Sequence, residues 1–134
     1  MNYPNILLAE DDEDDQRFFL DALQELNPHV QCTVANNGVE VFNILLLKPP
    51  PPSLIFLDLN MPLMNGIECL NKLKATEIYR QIPVVILTTS NNRIHKEETE
   101  KLGADQYLIK ANSFLALKED LRKVIQNKLG CISS

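Results

Sequence analysis

Residues 54–58 read Leu-Ile-Phe-Leu-Asp, four apolar residues in succession followed by an acid. A strand without polar alternation is covered on both faces, which is typical of the parallel sheets of α/β proteins. Runs of the same kind occur at residues 6–9 (ILLA) and 84–87 (VVIL), and shorter β-rich runs at residues 30–34 (VQCTV) and 107–109 (YLI). We predict five strands at these positions.

Helical patterns separate the five runs. In the first helix the apolar residues that share one face are Phe18, Phe19, Ala22, Leu23 and Leu26. Further helices are predicted at residues 39–47, around residues 67–73, at residues 93–102 and at residues 114–128. In the fourth helix Ile94 and Leu102 are the main apolar anchors, and Gly103 is expected to end it.

Five alternating βα units predict an α/β fold with a doubly wound parallel sheet. We expect five strands in the order 2-1-3-4-5, in the three-layer arrangement called flavodoxin-like. The segment at residues 48–52 (KPPPP) is predicted to be a stiff surface loop, although a polyproline run is also a potential ligand for an SH3-type groove.

The bulk composition limits the class of protein. The 134 residues are 45% hydrophobic and 23% charged, which fits one domain over residues 1–134 with a core of about residues 5–129. The net charge of −5, without a basic cluster, argues against direct nucleic-acid binding. We find no signal peptide and no membrane-spanning run, so we expect a cytoplasmic protein that does not bind membranes. Three widely spaced cysteines, Cys32, Cys69 and Cys131, are expected to be reduced thiols.

Polar residues stand where the predicted strands end. Asp11 and Asp12 follow the first strand, and Asp58, Thr88 and Lys110 close the third, fourth and fifth. The carboxyl ends of the strands form the ligand-binding edge of such a sheet, so these side chains should converge. Clustered carboxylates favour a hard divalent cation such as Mg²⁺. Asp58 is then placed to accept a phosphoryl group, with Lys110 and Thr88 contacting its oxygens.

Each of these residues also has a simpler interpretation. Asp11 and Asp12 could cap the first helix, Thr88 could be an ordinary strand-end hydroxyl, and Lys110 a solvated lysine. His29 and His95 are expected to be solvated. The joint placement of the acids, the hydroxyl and the ammonium at four strand ends favours a site.

The sequence resembles the response-regulator receiver family, including its chemotaxis-type single-domain members. The resemblance rests on LLAEDD at residues 7–12, LIFLDLNMPLMNG at residues 54–66, PVVILT at residues 83–88 and GADQYLIK at residues 103–110. These four blocks occur in the family's order and cover nearly the whole chain.

The resemblance implies a function in two-component signalling. Asp58 would accept the phosphoryl group of a sensor histidine kinase or phosphotransfer protein. Asp11, Asp12, Asp58 and the backbone carbonyl of Asn60 would hold Mg²⁺. Lys110 and Thr88 would contact the phosphoryl oxygens, and Tyr107 would turn inward with Thr88 to change the docking surface for a downstream protein. The chain would be a phosphoacceptor without an output domain, not an enzyme with a free substrate.

The sequence departs from the family pattern at a few positions. Ala111 stands where the family usually has a proline joined by a cis bond. A cis bond to a non-proline residue costs about 2.5–4 kcal/mol, so we predict a trans bond here. Thr89 is larger than the residue the family commonly has, and Asn60 and Ser90 lie at positions that tune the lifetime of the phosphate.

Two other functions are compatible with parts of the pattern. The Ala111 departure suggests a receiver-like interaction module that never uses phosphate. An aspartyl-nucleophile phosphohydrolase would need an acid two residues after the nucleophile, where this chain has Asn60. A flavin-binding version of the fold would need a Ser/Thr/Gly-rich phosphate loop after the first strand, which the sequence lacks.

Overall fold

Five strands form one parallel sheet in the order β2-β1-β3-β4-β5, which confirms the predicted topology. The structure is a computed structural model that describes residues 4–130, so Cys131 and its predicted free thiol lie outside the described residues. The strands are β1 (Asn5–Ala9), β2 (Gln31–Ala35), β3 (Leu54–Leu57), β4 (Val84–Thr88) and β5 (Gln106–Ile109).

Five helices alternate with the strands and cover both faces of the sheet. They are α1 (Glu13–Leu26), α2 (Gly38–Leu47), α3 (Gly66–Ala75), α4 (Arg93–Leu102) and α5 (Phe114–Leu129). Helices α1 and α5 pack together on one face, and α2, α3 and α4 lie side by side on the other. None of the described helices is both long enough and apolar enough to cross a membrane.

The unbroken apolar strands explain the three layers. Successive side chains of a strand point to opposite faces, so in β1 Leu7 and Ala9 contact the α2–α3 side while Ile6 and Leu8 contact the α1–α5 side. All four residues of β3 are fully buried. The predicted doubly wound architecture therefore follows from strands that are apolar on both faces.

The helix ends also follow from the sequence. Gly103 ends α4 in the left-handed conformation with φ 105°, as predicted. Asn65 caps α3 in a complete capping box, in which its side chain accepts from the backbone of Glu68 while the Glu68 carboxylate accepts from the backbone of Asn65. Residues 48–53 connect α2 to β3 without regular structure, and Pro49–Pro50 is the only cis peptide bond within residues 4–130.

Two predictions about individual side chains were wrong. Ile94 was expected to anchor α4, but it is 69% exposed, and Thr99 is the buried residue of that helix. Phe18 was expected on the core face of α1, but it lies at the rim and contacts Phe114 edge to face. In α1 it is the neighbouring Phe19 that is buried in the core.

Candidate functional site

The ends of β1 and β3 bring two buried acids together. Ala9 lies opposite Leu57 in the parallel register, and the backbone N–H of Asp58 donates to the carbonyl of Ala9 at 3.0 Å. Glu10 and Asp58, the residues that follow these strand ends, are only 3% and 5% exposed. Two carboxylates are thus held side by side at the carboxyl edge of the sheet.

Glu10, Asp11 and Asp58 form a carboxylate cluster. One oxygen from each lies within 4.8 Å of the others, close enough to ligate one cation. Burial, assisted by the charge of Asp58 and opposed by a hydrogen bond from Lys110, raises the pKa of Glu10 to about 7. Burial of the Glu10 carboxylate therefore disfavours its charged form.

Lys110 reaches this cluster from the end of β5. Its Nζ lies 2.6 Å from Glu10 Oε1, 2.7 Å from Asp15 Oδ2 and 3.3 Å from Asp58 Oδ2. Burial alone would lower the pKa of Lys110, but the hydrogen bonds to Asp15 and Glu10 and the negative charges raise it. The ammonium therefore stays protonated and is an electrostatic group rather than a proton donor.

Asp12 does not join the carboxylate cluster. Its Oδ1 accepts from the backbone N–H of Asp15 at 3.0 Å, so it is the N-cap of α1. Glu10, which the sequence analysis had not assigned, takes its place beside Asp11 and Asp58. The geometry thus replaces Asp12 by Glu10 among the candidate metal ligands. The sequence did contain a signal for Glu10. It directly follows Ala9, the last residue of β1, just as Asp58 directly follows Leu57, the last residue of β3.

Thr88 lies at the end of β4 and is fully buried. Its Oγ1 accepts from the backbone N–H of Ser90 at 3.4 Å, and its carbonyl accepts from the backbone of Lys110 at 2.7 Å. The hydroxyl of Tyr107 donates to the carbonyl of Ser90 at 2.7 Å. Tyr107 is half-buried and tied to the segment that follows Thr88, so the two predicted switch residues are connected through one loop.

The loop after Asp58 passes close to the carboxylates. The backbone N–H of Asn60 approaches Asp58 Oδ1 at 3.4 Å, and Asn60 and Asp11 line the same surface depression. His95 lines it too, and its Nδ1 lies 2.8 Å from the Ser90 hydroxyl. His95 is therefore half-buried and in hydrogen-bond contact with Ser90, rather than fully solvated as expected.

Ala111 directly follows Lys110 in the loop between β5 and α5. The Lys110–Ala111 bond is trans, as predicted, and Ala111 packs against the core beneath α1 and α5. With this anchor Lys110 still reaches Asp58.

Comparisons with known sequences match most of the chain. The sequence model described as "Response regulator receiver domain" matches residues 6–122. The chain is 30% identical over 120 residues to a chemotaxis protein CheY homolog of Campylobacter jejuni, covering 90% of this chain and 91% of the relative. It is 32% identical over 126 residues to response regulator Rcp1 of Synechocystis, covering 90% and 83%.

Solved structures show the same architecture. The phosphorylated cyanobacterial phytochrome response regulator RcpA superposes with a TM-score of 0.89 at 26% identity, covering 99% of this chain and 100% of that one. The Mn²⁺-bound form of Rcp1 superposes with a TM-score of 0.84 at 28% identity, covering 97% of both chains.

Proposed function

The chain belongs to the response regulator receiver domain family, which acts in two-component signalling, and on that premise we propose that Asp58 is its phosphoacceptor. The observation that carries the proposal is the position of Asp58, a buried carboxylate that shares a cluster with Glu10 and Asp11 and lies 3.3 Å from the Lys110 ammonium. The chain is then a phosphoacceptor signalling domain rather than an enzyme with a free substrate.

The phosphoryl donor in this proposal is a phosphohistidine of a sensor kinase or phosphotransfer protein. An Asp58 oxygen attacks the phosphorus, an O–P bond forms, and the N–P bond breaks with its electron pair left on the imidazole, which takes a proton from water. Lys110 pairs with the negative charge that the phosphoryl group adds beside Asp58. Thr88, buried at the next strand end, is the hydroxyl donor to a phosphoryl oxygen.

The donor set fits a hard divalent cation, for which we propose Mg²⁺. Carboxylate oxygens are the preferred ligands of such cations, and Glu10, Asp11 and Asp58 supply three. Within residues 4–130, Lys110 is the only cationic side chain in ion-pair contact with Glu10 or Asp58. Bound there with the Asn60 carbonyl, Mg²⁺ supplies positive charge that reduces repulsion between the carboxylates and an incoming phosphoryl group.

The output of the proposed switch is a changed docking surface for a downstream protein. Tyr107 is hydrogen-bonded to the loop that follows Thr88, so a movement of Thr88 toward a phosphoryl oxygen displaces the partner of Tyr107. Because β5 is an edge strand, such a change alters an outer surface of the domain.

Intact-mass spectrometry after incubation with Mg²⁺ and phosphoramidate tests the phosphoacceptor directly. We expect one added phosphoryl group on the wild type and on Asp14→Asn, a control that neutralises an exposed acid of α1. Asp58→Asn should gain none. Equal labelling of Asp58→Asn would contradict the assignment, and a wild type that takes no phosphate and binds no Mg²⁺ would favour a phosphate-independent module.

A further inference from the structure

Asp15 holds the lysine on which the proposed phosphotransfer depends, although it is neither the phosphoacceptor nor a candidate metal ligand. Its Oδ2 lies 2.7 Å from Lys110 Nζ, closer than Asp58 Oδ2 at 3.3 Å. The two residues belong to α1 and to the end of β5, so the pair joins elements that are distant in the chain.

The start of α1 directs the Asp15 carboxylate toward Lys110. Asp15 occupies the position relative to its N-cap Asp12 that Glu68 occupies relative to Asn65 in α3. In α3 that acid folds back to accept from the N-cap backbone. In α1 the backbone N–H of Asp12 instead donates to Glu10 Oε2. Glu10 therefore accepts the hydrogen bond from the N-cap backbone that an acid at the Asp15 position usually accepts. The Asp15 carboxylate contacts Lys110 instead.

The three carboxylate partners of Lys110 differ in solvent exposure, and therefore in how well water could solvate each one if the lysine moved away. An ammonium has three N–H donors, and all three have a carboxylate within reach. The side chains of Glu10 and Asp58 are only 4% and 7% exposed, whereas that of Asp15 is 43% exposed. Withdrawing the lysine from Asp15 thus leaves a carboxylate that water can solvate, whereas withdrawing it from Glu10 leaves a buried one.

The packing around Lys110 is also incomplete on the side of α1 and α5. A cavity of about 40 Å³ lies beside Lys110, with Glu10, Asp15 and Ala111 among the residues that line it. Lys110 is therefore not fixed by close packing on that side, and its position is set by its charged partners.

We propose that Asp15 is a positioning residue that competes with Asp58 for Lys110 and disfavours the phosphorylated state. This inference rests on the proposed phosphorylation of Asp58. In the unphosphorylated protein Asp15 draws the ammonium toward the rim of the site. When a phosphoryl group forms on Asp58, Lys110 leaves Asp15 for the phosphoryl oxygens, and the broken pair opposes the phosphorylated state.

The test measures binding of beryllofluoride, a phosphoryl mimic, at saturating Mg²⁺ in wild type and Asp15→Asn. The amide keeps the shape of the side chain and removes its charge. We expect the variant to bind about fivefold more tightly, the ratio appropriate to an ion pair with one partly exposed partner. Asp15→Glu, which restores the carboxylate, should return toward wild-type affinity.

Asp14→Asn is the matched control, because it removes the same charge from the neighbouring exposed position of α1. Its affinity should stay within about twofold of wild type, since a solvated charge without a direct contact is screened. An equal gain in Asp14→Asn, or none in Asp15→Asn, would overturn the inference while leaving the phosphoacceptor proposal intact. A wild type that binds no beryllofluoride would overturn both.

A second measurement detects the Asp15–Lys110 ion pair in protein that contains neither metal nor phosphoryl mimic. In Mg²⁺-free protein the ¹⁵N chemical shift of the Lys110 ammonium should differ between wild type and Asp15→Asn, because the variant leaves the ammonium with only the two buried carboxylates, Glu10 and Asp58, as charged partners. An unchanged signal in Asp15→Asn would show that Asp15 does not hold the lysine and would overturn the proposal.

Discussion

Replacing Gly66 by alanine should both destabilise the domain and disturb its phosphoacceptor. Gly66 is the first residue of α3 and is buried against the end of β3. An added Cβ would lie 2.2 Å from the carbonyl oxygen of Asp58 and 2.7 Å from Cα of Leu59. Both atoms belong to the backbone, so a flexible side chain cannot relieve the clash. The Asp58 carbonyl has to retreat by about 1 Å to reach an ordinary van der Waals contact of 3.4 Å.

The size of the effect follows from opposing contributions. Overpacking of a buried site typically costs about 1–3 kcal/mol, and contacts on rigid backbone place Gly66→Ala near the upper end. Alanine restricts the unfolded chain, which returns about 0.4–1 kcal/mol. We therefore expect a loss of about 2 kcal/mol in the free energy of unfolding, which lowers Tm by roughly 6 °C in a domain of this size.

Urea unfolding and the rate of phosphorylation by phosphoramidate test this reasoning together. Gly130→Ala is the control, because its Cβ would meet no atom within 4 Å and only its φ of 65° is unfavourable for alanine. That variant should lose about 1 kcal/mol and be phosphorylated at the wild-type rate. Gly66→Ala should be phosphorylated more slowly even where it is fully folded. Wild-type stability and rate in Gly66→Ala would refute the close approach of α3 to Asp58.

Other predictions follow from the site and the core. Glu10→Gln should weaken Mg²⁺ binding by more than about tenfold, since even outer partners of metal ligands contribute that much. Asp12→Asn should stay near wild type because asparagine caps a helix as well as aspartate, and calorimetric titration would show the reverse order if Asp12 were the ligand. Burial raises the pKa of Cys32 and Cys69 to about 12, so both thiols stay protonated at pH 8. In a Cys32→Ser, Cys131→Ser background the buried Cys69 should react with a thiol reagent only after unfolding, and rapid labelling of the folded protein would contradict its burial.

The strand pattern predicted the fold well because it reflects burial directly. Parallel strands between two helical layers have no polar side, so runs such as residues 54–57 and 84–87 are recognisable from residue types alone. The predicted order 2-1-3-4-5 matches the observed sheet. The end of α4 at Gly103 was also predicted correctly, because a position in the left-handed conformation favours glycine.

Side-chain assignments within the predicted elements were less reliable, for a physical reason. All six residues from 10 to 15 are acids, and their roles depend on where β1 ends and α1 begins, which sequence patterns locate only within a few residues. From the sequence we chose the pair Asp11 and Asp12. A shift of one residue gives Glu10 and Asp11, which are the observed cluster members, whereas Asp12 caps the helix. The contact between Asp15 and Lys110 joins residues 95 positions apart, and no local pattern predicts it.

Locating the acyl phosphate tests the central claim most directly. After phosphorylation with Mg²⁺ and phosphoramidate, borohydride reduction converts a phosphorylated aspartate to homoserine, which peptide mass spectrometry identifies. We predict homoserine at position 58 in wild type and none at that position in untreated protein. Homoserine at Asp11, Asp12 or another acid, with Asp58 unmodified, would contradict the proposed site.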